Sequence, residues 1–357
     1  MKIKKGCFFA AVISAAMLLS GCFGGVEVGD RAFVQIIGID KRFETYMVSL
    51  QLFQPSGSGS LSSGNENSVC ISGEGSDLNS AISACEVKSG NKIFFGHLKS
   101  VILGEGIESP ADELNTLIEL RSEFGTLPLS CPVFFSSSPY EITSLISERG
   151  LYSAEHLTEL IKSNASFGNT FYEPVSDILN SQLHPMGSAV LPEIYVDGNN
   201  ARFSGAAVRK NGLSDVTLDA EQLKGCIFFS DRFQSGSRFI STASDGISVE
   251  ITDSKSCITA SNSDGRLLVE ANVKLRIKIP DNCPDRHRTA NDVCTDVRNS
   301  CISVYSETAW QNGADILEIY KAARKSCPEL VENISEEDFA ELLKNSILTV
   351  KVSALSA

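Results

Sequence analysis

The sequence predicts a mixed α+β chain of more than one domain, in which helices pack on largely antiparallel sheets. Three observations carry that expectation. A length of 357 residues exceeds what one hydrophobic core usually serves. Apolar residues recur with period two in some segments and with period 3.6 in others, so both element types are present. In the second half several period-two runs follow one another with no helix between them, which favours hairpin-joined strands over alternating βαβ units.

At the start, Lys2, Lys4 and Lys5 precede an apolar run, Ala10 to Leu19, interrupted only by Ser14. Charge, length and a small-residue end have the form of a secretory leader, and the run is shorter than the about 20 apolar residues a spanning helix needs. It closes on Leu19-Ser20-Gly21-Cys22, which resembles the lipobox of bacterial lipoproteins. That resemblance implies that residues 1–21 are removed as a signal peptide and that the sulfur of Cys22 carries a diacylglycerol, making Cys22 the lipid-attachment site. Each buried CH2 contributes roughly 0.8 kcal/mol, and two acyl chains anchor stably where one does not. The competing reading is ordinary secretory cleavage with Cys22 an incidental thiol. Residues 22–31, with Gly24-Gly25 among them, form a short lipidated tether.

Ala32 to Ile39 and Tyr46 to Phe53 read as two strands joined across Asp40 to Thr45. Gln54 to Asn67 is almost entirely Ser, Gly and Asn and reads as a loop. A strand resumes at Val69 to Ser72. Ser76 or Asp77 then caps a helix with Leu78, Ala81, Ile82 and Cys85 on one stripe. Lys92 to Glu105 is strand-like on both sides of Gly96. A helix over Asp112 to Arg121, a strand over Cys131 to Phe135, helices near Tyr140 to Ser147, Ser153 to Lys162 and Val175 to Gln182, and a strand over Ala189 to Val196 follow. Asp197-Gly198-Asn199-Asn200 is a turn and the candidate boundary. Residues 32–198 then form an N-terminal α/β domain and residues 199–357 a C-terminal one, the latter a single unit or two subdomains split near residue 240.

The second half opens with a strand over Ala201 to Arg209, a turn at Asn211-Gly212, a short helix over Asp219 to Lys224 and a strand over Cys226 to Ser230. Strands over Ile247 to Ile251, Ser256 to Ala260 and Leu267 to Ile279 follow, the last alternating apolar with charged residues. One long helix is expected from Ala290 to Lys325, with Gly313 as a break. Ser335 starts a last helix, and Ile347 to Val352 is a closing strand.

Composition limits the chemistry. The formal net charge is -13, and removing a leader with three lysines and no acid makes it -16, so nucleic acid and anionic lipid repel the chain as a whole. Eleven cysteines leave nine after the leader and Cys22, an odd number with no CxxC pair, which suggests neither a zinc ribbon nor a full disulfide framework. Cys70, Cys85, Cys131 and Cys226 sit in apolar runs and read as small core residues. The four histidines, His97, His156, His184 and His287, show no ligand spacing. His97, expected in a strand, reads as structural. No nucleophile elbow, P-loop or dinucleotide-binding glycine pattern is present, and Gly104-Glu105-Gly106 is too short and acidic to cradle phosphate. The charged stretch Asp281 to Asp296, with Arg286, Arg288 and Arg298, reads as a solvated helix start. No catalytic residue, cofactor or metal is expected.

Taken in order, the motifs resemble the Ger(x)C family, the lipoprotein C subunit of bacterial spore germinant receptors. The resemblance rests on Gly21-Cys22, Asp30-Arg31-Ala32-Phe33, Ile37-Gly38-Ile39-Asp40, Val48-Ser49-Leu50-Gln51, Ser72-Gly73-Glu74-Gly75, Phe95-Gly96-His97-Leu98-Lys99 and Ile102-Leu103-Gly104-Glu105. Gly205-Ala206-Ala207-Val208, Gly212-Leu213 and Ala314-Asp315-Ile316, expected late in the long helix, complete it. Phe23 departs from the pattern, which usually has tryptophan after the acylated cysteine. The resemblance implies a non-catalytic subunit, acylated at the outer surface of the spore inner membrane, that assembles and couples with two membrane-embedded partners, the A and B subunits. An extracytoplasmic solute-binding lipoprotein is the alternative, and consecutive strands such as those from Ile247 to Ile279 weigh against its doubly wound lobes. A tethered hydrolase is the third class, and the missing nucleophile motif weighs against it.

Overall fold

A computed structural model of the chain describes residues 31–53, 68–120, 125–145, 153–182, 187–210, 216–230, 232–233, 239–243 and 246–356. The leader, Cys22, the tether up to Asp30, the Gln54 to Asn67 loop, the Asn211-Gly212 turn and His184 lie outside the described residues. Among those described, thirteen strands form two mixed sheets, and the expected α+β class holds.

The first sheet has nine strands. Strand β1 (Arg31–Arg42) pairs antiparallel with β2 (Thr45–Phe53), and β2 with β3 (Ser68–Gly75). On its other side β1 runs parallel to β4 (Lys92–Phe94) and β5 (Ser100–Leu103). Parallel pairing continues through β6 (Val133–Phe135) to β7 (Ala189–Asp197), and antiparallel pairing through β8 (Asn200–Arg209) to β9 (Val216–Leu218). The turn at Gly198 therefore joins two strands of one sheet.

Helices cover both faces of this sheet, which explains the unbroken apolar runs of its centre. On one face α1 (Leu78–Ser89), α2 (Pro110–Glu119) and α5 (Val175–Gln182) close a core containing Ile37, Val101, Val133 and Leu191. On the other, α3 (Pro139–Ser144) and α4 (Ser153–Phe167) close a smaller core around Ile36, Ile102 and Phe134. A register shift in β1 between Val34 and Ile36 lets Ala32 and Val34 share a face with Ile37 and Ile39, three positions further on. As expected, α1 is capped at Asp77, reciprocally with Ser80, and buries all four residues of its stripe.

The second sheet orders β10 (Phe239–Thr242), β11 (Ser248–Ser263), β12 (Arg266–Lys278) and β13 (Ile347–Ser356). The first three form an antiparallel meander, and β13 joins β12 in parallel. In β12, buried Val269, Ala271, Val273, Leu275 and Ile277 alternate with more exposed neighbours, and α6 (Ala220–Phe229) and α7 (Arg286–Tyr305) share the core beneath them.

Four expectations need correction. The segment expected as a short helix and then a strand from Cys226 is one helix, α6, with a reciprocal cap between Asp219 and Gln222. A short apolar run does not by itself separate a strand from a buried helix. Here Gly225 decides, because its bare backbone lets α7 cross so closely that a Cβ would lie 2.2 Å from the Ser300 carbonyl oxygen. The two strands expected between Ile247 and Ala260 are one bulged strand, β11, and β10 had no foreseen counterpart. The long helix breaks at Gly313, as expected, where φ of 64° is left-handed, but α7 first passes into a π-helical turn, Ser306–Gln311, and the gap beyond Gly313 is wider than expected. Ala314-Asp315-Ile316 is therefore not helical, and α8 (Ile319–Ser326) starts beyond it. Finally, His97 lies in the turn between β4 and β5, not in a strand. The last helix, α9 (Glu336–Lys344), starts at its expected cap Ser335. No described helix is long and apolar enough to cross a membrane.

Candidate functional site

The two sheets meet along a seam that carries buried charge. Glu173 sits just before α5, where its carbonyl accepts the Val133 N–H at 2.9 Å, so β6 fixes its position. Arg232 follows the end of α6 and reaches back across the seam. Its Nη2 donates to Glu173 Oε1 at 2.9 Å, its Nη1 to Ser230 Oγ at 3.3 Å, and its guanidinium lies 4.7 Å from the centre of the Phe171 ring. Burial pushes the Glu173 carboxyl up from its ordinary value, against the pull of Arg232. Burial is the largest single influence on Arg232 and opposes its charge, but the charges and hydrogen bonds of Glu173 and Cys226 together outweigh it and raise the guanidinium pKa.

Asp315 makes the second crossing. Its carbonyl accepts the Ser188 N–H at 3.1 Å from the segment leading into β7. Its carboxylate accepts the N–H groups of Leu317, Ile319 and Tyr320 at 3.2, 2.9 and 2.8 Å, taking up donors at the start of α8. Burial raises its pKa and outweighs those hydrogen bonds. Between these crossings opens a cleft of about 850 Å3, lined from both halves by Tyr172, Asn180, Arg232, Ser256, Tyr320 and Lys321.

Chemically the cleft is quiet. Glu173 is committed to Arg232 and Asp315 to helix amides. The Cys226 thiol near Arg232 has its pKa raised by burial, which keeps it protonated. Among the described residues no three His, Cys, Asp or Glu side chains stand together as metal ligands. The described histidines stay apart: His97 packs edge-on to Phe33 at 5.1 Å, His156 is on α4, and His287 on α7 lies 3.2 Å from Asn291.

The motif residues resolve into packing devices. The Gly104-Glu105-Gly106 turn wraps Asp40, whose Oδ1 accepts the Lys41 and Gly106 N–H groups at 2.9 and 3.1 Å. A Cβ at Gly106 would fall 1.7 Å from the Lys41 carbonyl oxygen. In the charged stretch, Asp285 caps α7 and Asp296 accepts the Ser241 hydroxyl at 3.0 Å, while Arg286 and Asp281 are 3.8 Å apart. Of the residues expected to sit in the core, Cys85, Cys131 and Cys226 are buried and Cys70 is half-buried. Sequence reasoning missed Glu173 and Arg232 because each is a single charge in an irregular segment. Asp315 was visible only as part of a motif.

Comparison with known proteins decides the family. Residues 24–196 match the family described as the spore germination protein N-terminal domain, and residues 204–355 match spore germination B3/GerAC like, C-terminal. The chain belongs to the GerAC-like spore germination family. A curated relative, the putative spore germination protein YfkR of Bacillus subtilis (strain 168), is 22% identical over 304 residues, covering 77% of this chain and 75% of that one. The crystal structure of the GerBC protein shares the fold at a TM-score of 0.53 and 16% identity, covering 90% of this chain and 96% of its own. This GerAC-like chain is thus a spore germination protein resembling a germinant receptor C subunit. Its seam joins the regions matched by the two family halves.

Proposed function

We propose that this chain is the non-catalytic, lipid-anchored C subunit of a spore nutrient germinant receptor, needed for receptor assembly and signalling. In this reading Cys22 carries the lipid, and the protein stands on the outer surface of the spore inner membrane beside the membrane-embedded A and B subunits. Residues 32–198 and 199–357 act as its two domains. The observation that carries the proposal is the order of signals along one chain: Leu19-Ser20-Gly21-Cys22, then the N-terminal family match, then the C-terminal one. The seam chemistry supports the two-domain reading, since its polar groups tie the halves together. The antiparallel meander β10-β11-β12 does not suit the doubly wound lobes expected of a solute-binding lipoprotein.

The test is deletion of the gene in the sporulating host, followed by dipicolinic acid release on exposure to amino acids and sugars, in a strain lacking other germinant receptors. Loss of response to one nutrient class with otherwise normal spores supports the proposal. An unchanged response to every nutrient rejects it. A Cys22→Ala variant is expected to leave the membrane fraction, and its retention after a salt wash would reject the anchor.

A further inference from the structure

The two ends of the nine-stranded sheet carry opposite charge. At the end where β1 begins, Arg31 is the register partner of Lys92, and exposed Lys99 is held by its N–H donating to the Gln35 carbonyl at 2.8 Å. The Arg31 guanidinium lies 5.0 Å from the centre of the Phe94 ring, and Phe33, Phe94 and His97 form one aromatic group with centroids 5.1 to 6.1 Å apart. Val87, in the last turn of α1, is 83% exposed nearby. Glu86, the carboxylate within this group, is already paired with Lys92 at 2.5 Å.

The opposite end is acidic. Asp40 and Glu44 at the β1-β2 turn are joined there by Glu74, Asp77, Glu105 and Glu108, against Lys41 and Arg42. Lys99, level with Gln35, stands about 17 Å along the strand from Asp40, and Arg31 at the start of β1 stands about 30 Å from it. Both distances exceed the roughly 8 Å over which salt screens charge at physiological strength.

We infer that the β1-start end, with Arg31, Lys92, Lys99 and the Phe33-Phe94-His97 group, is a membrane-facing surface that lies against anionic phospholipid headgroups. The inference rests on the lipid anchor proposed above. Eight residues lie between Cys22 and Arg31, and the nine steps reach about 30 Å at full extension, so a chain acylated at Cys22 holds this end next to the bilayer. Cations there meet lipid phosphates, and the acidic end is repelled outward. An anionic leaflet thus orients a protein that it would repel as a whole. A protein partner in the same place would have no reason to respond to lipid charge.

The test uses the processed, acylated chain in two sets of vesicles, pure phosphatidylcholine and phosphatidylcholine with phosphatidylglycerol. Lysines are footprinted with an amine-acylating reagent and read by mass spectrometry. Lys92 and Lys99 are expected to label about fivefold more slowly on the phosphatidylglycerol vesicles, with Lys41 unchanged and the difference abolished by high salt. An Arg31→Glu/Lys99→Glu variant should remain vesicle-bound while Lys92 loses its protection. Equal labelling on both vesicles, with the protein still bound, overturns the surface and leaves the anchor standing. Failure of the wild-type chain to float with either vesicle overturns both.

Discussion

The two sheets solve the same burial problem differently. In the first, neighbouring Ile36 and Ile37 on β1 point to opposite faces and both are fully buried, because helices lie above and below. In the second, β12 buries Val273 and Leu275 and leaves Lys274 and Arg276 to solvent. A parallel centre needs crossovers, and the crossovers cover it; a meander needs only turns, and one face stays wet. The first sheet thus uses its surface for two cores, and the second keeps one broad face exposed.

The sharpest way to break this arrangement is at the seam between the sheets. Arg232→Met leaves Glu173 buried without its partner and should cost about 3–5 kcal/mol in urea unfolding, with the Glu173→Leu/Arg232→Met double variant recovering most of it. A loss below about 1 kcal/mol would mean that the seam is open to water. Next come the sheets themselves. Ile36→Ala and Ile37→Ala should each cost about 2–5 kcal/mol, as should Leu275→Ala. Lys274→Ala should change stability by less than about 0.5 kcal/mol. Comparable losses at Lys274 and Ile36 would erase the difference between the sheets.

A smaller effect is confined to the acidic end of the first sheet. The Tyr46 hydroxyl donates to Glu113 Oε1 at 2.8 Å, and burial together with that carboxylate pushes its pKa up to about 12. A phenol whose folded pKa is raised contributes stability that is complete below its unfolded value, about 10, and is lost as pH climbs towards 12. Stability measured across that range should fall less steeply in Tyr46→Phe than in the wild type. The smallest perturbation is thiol labelling of the native protein. Cys257 on β11 is exposed and should react first. Cys85 on the buried face of α1 and Cys301 on α7 have thiols pushed up to about 12 by burial and should react only as the protein opens. Rapid labelling of Cys85 would show that α1 is loosely held.

How far these features were legible depended on whether the signal was local. The alternation of β12, the stripe of α1 and the caps at Asp77 and Ser335 are written in neighbouring residues and were readable. The α6 segment misled because four consecutive buried residues, Cys226 to Phe229, carry no period, and the deciding contact at Ser300 is far along the chain. The long helix was overextended because its apolar pattern persists past the π-helical turn, while Asp315, which takes up the amides of a new helix, looks like any other acid. Glu173 and Arg232 gave no signal at all, since a buried ion pair between irregular segments exists only once both sheets are in place. Among the motif residues, the glycines reported where backbones meet.

Strand β13 sets a condition on the order of events. It completes the second sheet beside β12, yet the chain reaches Ile347 only after α7, α8 and α9 have been made. Until then the ladder side of β12 that ends against β13 is a bare row of amides and carbonyls, a template for pairing with other chains. Any product that stops short of Ile347 keeps that row exposed, and with it the apolar layer that Leu348, Val350 and Val352 help to cover. The second sheet therefore stays unfinished until the last ten-residue strand is made: only then is the β12 ladder paired and its apolar layer covered, and the free edge passes to β13.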